Sequence, residues 1–165
     1  MTIDLIEVQV PGPQGPPGSS APFYGQASRM TTGTITVATQ GIYQTTGLAA
    51  VFDAVNASGV VLATTATFGL RNISGVTKLF RVYGSIDAKG NNNEILGIKL
   101  AKNGTPIDET ECRAFGGSSA QEAKLVTSWM ISLANNDEVS LLIANHSGTH
   151  PITFGRGRIL MSAVN

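Results

Sequence analysis

The sequence predicts an all-β domain, arranged as a sandwich or a barrel. Short strand-like segments recur along the chain, and turn signals rich in Asn, Gly and Ser separate them. The longest segments alternate apolar and polar residues, which is the pattern of strands with one buried face. No helical pattern of about 10–15 residues lies between them, so parallel βαβ units are not expected.

The composition bounds the size and the class of the molecule. The chain has 165 residues, enough for one compact domain with a small appendage. Lys and Arg number 11, as do Asp and Glu, so the zero net charge offers no basic stripe for a nucleic acid. Cys112 is the single cysteine, which excludes an intrachain disulfide. The low charged fraction, 13%, favours a subunit that buries surface against its own copies, or a surface of small polar residues.

The sequence carries no targeting signal that we recognise. The first residues are acidic and lack the basic segment of a secretory signal. No apolar run approaches the roughly 18 residues of a membrane span. We therefore expect a soluble protein that is made in a cytoplasm.

Residues 1–10 form a short, strand-like arm. Its apolar residues largely alternate with Thr, Asp, Glu and Gln, and Pro11 ends the pattern. Because a strand with two free edges pairs readily with another chain, we expect this arm to anchor the protein to a partner. The residues expected to make the attachment are Ile3, Leu5, Ile6, Val8 and Val10.

Residues 11–22 follow as a collagen-like stem or linker. Gly occupies every third position from residue 12 to residue 18, and Pro fills most of the others. Three polyproline-II chains can wind around one another with this repeat because only Gly fits at the axis, although a plain Pro/Gly linker is the alternative. Such a stem spans at most about 25 Å, so a neighbouring trimeric domain must nucleate it. The stem residues are Pro11, Gly12, Pro13, Gly15, Pro16, Pro17 and Gly18.

The predicted head runs from residue 23 to residue 165. Asn103-Gly104 is a strong signal for a two-residue hairpin. The Asn-Asn-Asp run at 135–137 joins two strongly alternating segments and predicts a second tight hairpin. The strand candidates are 34–38, 41–45, 48–55, 60–68, 77–88, 94–101, 123–134, 138–145 and 153–164.

Alternation also gives the head a second, moderately apolar face. In residues 79–86, Phe80 and Val82 lie on the face expected to be buried, and Tyr83 lies on the other. Since each sheet of a sandwich buries one face, apolar residues on the opposite face favour subunit contacts, although they also fit beneath loops of the same subunit. The residues predicted for a trimer interface are Tyr24, Tyr43, Tyr83 and Met130.

The sequence contains no strong catalytic or metal-binding motif. His146 and His150 are four residues apart, but Gly148 and Pro151 exclude the helix that would bring them together for zinc. The acidic cluster at 108–111 lacks the spacing of a calcium loop, and a solvated turn is the preferred interpretation. A nucleophile elbow, a phosphate-binding loop and a dinucleotide fingerprint are all missing. We therefore expect no enzyme activity, no metal and no cofactor.

A collagen-like repeat followed by an all-β domain resembles the trimeric jelly rolls of the tumour-necrosis-factor and complement-head type. Residues 80–88 are similar to a central strand of those heads, and residues 136–145 to their penultimate strand. The chain is also similar to small bacteriophage virion proteins with a brief collagen-like stretch, in the segments 96–107, 111–113 and 144–147. The resemblance implies a jelly-roll β-sandwich, a homotrimer, and a structural place on the virion.

The resulting interpretation is a non-enzymatic capsid decoration protein, of the cement or head-fibre type, on the virion surface. The arm would attach it to the major capsid protein or another virion protein, with the head facing outward. A short arm favours the capsid, since a tail fibre usually needs a larger docking domain and a shaft. The alternative is a receptor-binding tail-fibre tip that recognises a host-surface glycan or protein. Neither interpretation involves nucleic acid or a membrane.

Overall fold

The computed structural model is a two-layered β-sandwich. It describes residues 22–53, 57–63, 68–116 and 122–164. Within these ranges the secondary structure is β apart from a 3₁₀ turn at Asp108–Thr110, and no helix is long and apolar enough to cross a membrane. The strands are β1 (Tyr24–Arg29), β2 (Gly33–Ile35), β3 (Gln44–Thr45), β4 (Val51–Phe52), β5 (Val60–Leu62), β6 (Gly69–Asn72), β7 (Lys78–Lys89), β8 (Ile95–Lys102), β9 (Thr105–Pro106), β10 (Cys112–Phe115), β11 (Ala123–Leu133), β12 (Glu138–Asn145) and β13 (Ile152–Ala163).

Two antiparallel sheets face each other. The first sheet has the order β11-β7-β13-β1-β4, and β2 also pairs with β13. The second sheet has the order β10-β8-β12-β6-β5, with β3 on β12 and β9 on β8. From β7 onward the chain repeatedly crosses between the sheets, since β7, β11 and β13 belong to the first and β8, β10 and β12 to the second. The predicted all-β sandwich is confirmed.

The core fills the space between the two sheets. On β7 the inward residues include Phe80, Val82 and Ile86, each fully buried, as the alternation predicts. Gly84 continues the same row opposite Leu141 of β12, and a Cβ built on it would lie 2.5 Å from Leu141 Cδ2. A glycine therefore lets the two sheets approach closely at this point.

One predicted hairpin is confirmed and one is wrong. Asn103 and Gly104 adopt φ values of 48° and 81° between the paired strands β8 and β9, as a two-residue hairpin turn requires. The turn at 135–137, by contrast, leads from β11 in the first sheet to β12 in the second, so its flanking strands do not pair. Asn72 holds this corner from β6, because its Nδ2 donates to the backbone oxygens of Leu133 and Ala134.

Candidate functional site

The outer face of the first sheet is the candidate functional surface. Its side chains come from four neighbouring strands, and the register brings Ser128, Tyr83 and Leu160 into one cross-strand row. The adjacent row contains Met130 and Arg81. We call this surface the outer face; it comprises Tyr24, Gln26, Ser28, Leu79, Arg81, Tyr83, Ser85, Asp87, Lys124, Val126, Ser128, Met130, Ser132, Arg156, Arg158, Leu160 and Ser162.

Large apolar side chains on the outer face remain open to solvent. Met130 is 45% exposed, Leu79 42% and Tyr24 39%, and Val126 is exposed as well. Single exposed apolar residues are ordinary on a protein surface, but several on one sheet face mark an interaction surface. The face is therefore a candidate interaction surface.

A shallow depression of about 380 Å³ lies in this face. Arg81 and Tyr83 from β7 line it together with Ser128, Trp129 and Met130 from β11. The β11 residues belong to the edge of the first sheet, so the depression opens toward that edge. Its lining combines aromatic, thioether and guanidinium groups, the residue types that are enriched in the centres of protein interfaces.

The structure brings together three of the four residues predicted for the trimer interface. Tyr24, Tyr83 and Met130 lie on the outer face, on β1, β7 and β11. Tyr43 lies elsewhere, beside β3 in the second sheet, where its hydroxyl meets Glu111. The predicted anchoring arm at 1–10 and the stem at 11–18 fall outside the described residues.

Tyr43 belongs to a polar network on the second sheet. Its hydroxyl donates to Glu111 Oε1 at 2.6 Å and lies 3.1 Å from His146 Nε2. Because the single phenolic proton goes to Glu111, His146 must donate from Nε2. Lys99 Nζ lies 4.5 Å from the centre of the Tyr43 ring, and Arg113 donates to Glu111 at 2.8 Å. We call these five residues the Tyr43 cluster.

The ionisation of the Tyr43 cluster follows from this geometry. Burial raises the pKa of Tyr43 above its ordinary value, and the hydrogen bond to Glu111 raises it further. Burial also acts to raise the pKa of Glu111, but the hydrogen bonds from Tyr43 and Arg113 outweigh it and the pKa lies below the usual value. Burial and the nearby charge of Arg113 lower the pKa of His146. At neutral pH the Tyr43 phenol and the His146 imidazole are therefore neutral, and the Glu111 carboxylate is ionised.

A second polar network surrounds the buried side chain of Glu94. Its Oε2 accepts from the backbone N–H of Asn91 at 2.6 Å and from Asn145 Nδ2 at 2.9 Å, and its Oε1 lies 2.6 Å from His150 Nδ1. Burial acts to raise the pKa of Glu94, but these hydrogen bonds outweigh it and lower the pKa below its ordinary value. Glu94 thus ties the β7–β8 turn to the β12–β13 loop.

The two histidines, His146 and His150, are only four residues apart but belong to different hydrogen-bond networks. His146 belongs to the Tyr43 cluster and His150 to Glu94. Across the described ranges, no group of three His, Cys, Asp or Glu side chains is arranged to hold a metal ion. In the acidic segment, Asp108 pairs with Lys99 at 2.8 Å, while Glu111 faces Tyr43. His146, His150, Asp108 and Glu111 are therefore each engaged with another side chain of the same protein.

We expect Glu94→Gln to flatten the loss of stability in acid. The lowered pKa of Glu94 means that its contribution is fully present above the unfolded-state value of about 4.3 and is lost as the pH falls through the folded-state value. Glu94→Gln should also cost about 1–3 kcal/mol at neutral pH, since it weakens charge-assisted hydrogen bonds. Chemical unfolding at a series of pH values from 7 to 3 measures both effects.

The matched control for this prediction is Glu109→Gln, which removes an exposed carboxylate from the 3₁₀ turn. That variant should follow the wild-type pH dependence. Part of the acid slope should survive in Glu94→Gln, because Glu111 and Asp137 also have lowered pKa values. Identical slopes for wild type and Glu94→Gln would contradict the role given to Glu94.

Comparison with known proteins relates this chain to others by fold. No protein-family model and no curated protein matches the sequence. Among solved structures, the Eiger TNF of S. frugiperda matches with a TM-score of 0.60 and 9% identity, over 87% of this chain and 93% of that one. The vertex protein P5 of phage PRD1 matches with a TM-score of 0.54 and 14% identity, over 87% and 97%. Murine APRIL, solved at pH 5.0, matches with 0.53 and 8%, over 86% and 99%.

These similarities define the fold class. The sandwich is a jelly roll of the tumour-necrosis-factor type, as the sequence resemblance implied. One of the proteins that share the fold is a structural component of a phage, the vertex protein of PRD1. Identities of 8–14% establish the shared fold alone, so function has to be argued from the surface.

Proposed function

We propose that the chain is a non-enzymatic, homotrimeric virion protein, a capsid decoration protein of the cement or head-fibre type. The arm at 1–10 attaches it to the major capsid protein or another virion protein, and the head faces outward. The observation that carries this proposal is the jelly roll that this chain shares with the PRD1 vertex protein. In this chain the jelly roll follows a Gly-x-x repeat. A stem of that kind suits a head with three-fold symmetry.

The outer face supports self-association. A three-fold ring is heterologous, so the outer face must meet a different patch on the neighbouring subunit. Strand β10 forms the edge of the second sheet beside β11, and it exposes Phe115 (69%). In the proposed trimer this edge of one subunit packs on the end of the next subunit's outer face that carries Tyr24, Tyr83 and Met130, and the end with Lys124 and Arg158 stays open.

The position at which the head begins supports an attachment point shared by the three proposed subunits. Phe23 O accepts a hydrogen bond from the backbone of Ala163, and Leu79 O accepts one from Val164. The start of β1 therefore lies at the end of the sandwich where β13 finishes, and the proposed stem begins from that end. In a trimer with a three-fold axis, three such segments leave the same end side by side, as a short collagen-like stem requires.

The absence of enzyme activity is part of the proposal. Glycoside hydrolysis, the activity most expected of a virion-bound enzyme, uses a pair of carboxylates across a cleft. The two depressions of the outer face described for this chain include a single carboxylate, that of Asp87. The carboxylates of Glu94 and Glu111 accept hydrogen bonds from neighbouring side chains instead.

We expect deletion of residues 1–18 to leave a folded, soluble trimer that no longer joins virions. The reason is that the deletion removes the proposed anchor and leaves the strands from Tyr24 onward intact. Incorporation is measured by producing tagged protein during infection and quantifying it on purified particles. The finer test is Ile3→Asp/Leu5→Asp, with Thr2→Ala/Gln9→Ala as the matched control on the polar side of the arm. Full incorporation of the deleted protein would mean that the head itself docks.

A receptor-binding tail-fibre tip is the second candidate function. The cations Lys124, Arg156 and Arg158, which lie toward the end of the first sheet opposite Tyr24, favour it. Labelled protein on intact virions distinguishes the two candidates by its position on capsid or tail. Particles without the protein should adsorb normally but lose heat or osmotic resistance under the decoration proposal, and should fail to adsorb under the fibre-tip proposal.

A further inference from the structure

The outer face carries a cluster of cations at one end. Lys124 on β11 and Arg156 on β13 are the two cross-strand neighbours of Asp87 on β7. Arg158 lies two residues further along β13 and therefore points to the same side of the sheet. We call Lys124, Arg156, Arg158 and Asp87 the basic pocket.

The basic pocket is small and open. Its volume is about 180 Å³, and Met30 and Ser85 complete the lining. That volume is below the roughly 300–1,000 Å³ of a pocket that encloses a small molecule. Strand spacing places the Cα atoms of Lys124 and Arg156 about 10 Å apart across the sheet, and those of Arg156 and Arg158 about 7 Å apart along the strand. This spread suits anionic groups repeated along a polymer better than one enclosed ion.

Positive charge exceeds negative charge in the basic pocket. Arg156 Nε lies 3.7 Å from Asp87 Oδ2, which is a loose ion pair. Within the described part of the chain, Lys124 and Arg158 make no ion pair. The next carboxylate, that of Glu122, lies over the β13 bulge. Exposed cations without partners on a concave surface raise the local concentration of anions.

The basic pocket lies far from the point where residues 1–22 join the head. Tyr24, the first residue of β1, pairs with Ser162, whereas Arg156 lies six residues earlier on β13. Six residues of strand span about 20 Å. If the arm anchors the head, the basic pocket faces away from the particle, and this step rests on the proposed function.

We propose that the basic pocket binds an anionic polysaccharide of a cell surface through its carboxylate or phosphate groups. A nucleic acid duplex is the less suitable polyanion, because a protein that binds it tightly neutralises many phosphates, on the order of six to ten, and the basic pocket offers the three cations Lys124, Arg156 and Arg158. The proposed site gives the head a recognition role on a capsid as well as at a fibre tip.

Titration calorimetry of the full chain tests this inference. The probes are polygalacturonate for carboxylates, wall teichoic acid for phosphates, neutral dextran, inorganic phosphate and duplex DNA. At least one of the two anionic polysaccharides should bind, dextran should not, and binding should disappear in 0.5 M NaCl because salt screens exposed charges. Lys124→Gln/Arg158→Gln should weaken the affinity roughly tenfold. Lys78→Gln/Arg113→Gln removes the same charge elsewhere and should leave it unchanged.

Several results would overturn the inference. They are equal affinities for the two double variants, DNA binding as tight as polysaccharide binding, or inorganic phosphate binding as tight as either polymer. Sedimentation in the same buffers keeps this test separate from the proposed function. A monomeric wild type counts against the trimer, whereas absent polysaccharide binding counts against the basic pocket, which lies within one subunit.

Discussion

The full chain should sediment at about three times 17.2 kDa at micromolar concentration, and Tyr83→Glu/Met130→Glu should sediment as a folded monomer. Both substitutions place carboxylates in the depression of the outer face. Burying an unpaired charge in an interface costs several kcal/mol, and each of the three interfaces would receive two. Fold stability should change little, because Met130 is exposed and Tyr83 only half-buried in the isolated chain.

The matched control adds the same charge away from the outer face. Thr36→Glu/Thr45→Glu alters two exposed residues, one directly after β2 and one in β3, and should remain trimeric. Analytical ultracentrifugation gives the masses, and far-ultraviolet circular dichroism verifies that each variant is folded. A trimeric Tyr83→Glu/Met130→Glu variant would move the interface to another face. A monomeric wild type would remove the trimer altogether.

The long strands of the sandwich could be predicted from the sequence. The segment 77–88 became β7 at Lys78–Lys89, and 138–145 became β12 at Glu138–Asn145. Their period-two pattern extends over enough residues to identify both the strand and its buried face. In the long segments 123–134 and 153–164 the prediction also holds to within a residue.

The short strands β1, β6 and β10 could not be predicted. β1 reads Tyr-Gly-Gln-Ala-Ser-Arg and has no apolar alternation, yet it lies between β13 and β4. Its extended conformation is imposed by hydrogen bonds to strands remote in sequence rather than by local preference. The failed hairpin at 135–137 has the same origin, because the partners of β11 and β12 are set by sheet order.

The candidate site, too, depends on strand pairing that the local sequence pattern does not reveal. Alternation assigned Tyr83 and Met130 to outward positions, but only the β1-β13-β7-β11 order brings them onto one face with Tyr24. Tyr43 has a similar local signal and lies on the other sheet. The hydrogen-bond network around Glu94 could not be predicted either, because its partners Asn145 and His150 lie 51 and 56 residues away along the chain.

Phe154→Ala should destabilise the head by about 3–5 kcal/mol, a large part of the roughly 5–15 kcal/mol that holds a domain folded. Phe154 is fully buried, and its ring centre lies 6.0 Å from that of Phe68 at a tilt of 54°. The ring also fills the space beneath Gly157, where an added Cβ would lie 2.7 Å from Phe154 Cζ. Because glycine has no side chain to move into the vacated volume, the cavity should stay largely open, and open cavities are the most costly.

Urea unfolding at one fixed protein concentration measures this loss, because dissociation of an oligomer makes apparent stability depend on concentration. The matched control is Thr153→Ala, the exposed neighbour on the same strand, which should change stability by less than about 0.5 kcal/mol. A loss below about 1 kcal/mol in Phe154→Ala would mean that the two sheets close over the cavity. In that case the Phe68–Phe154 contact would not be needed to set the spacing of the two sheets at this end of the sandwich.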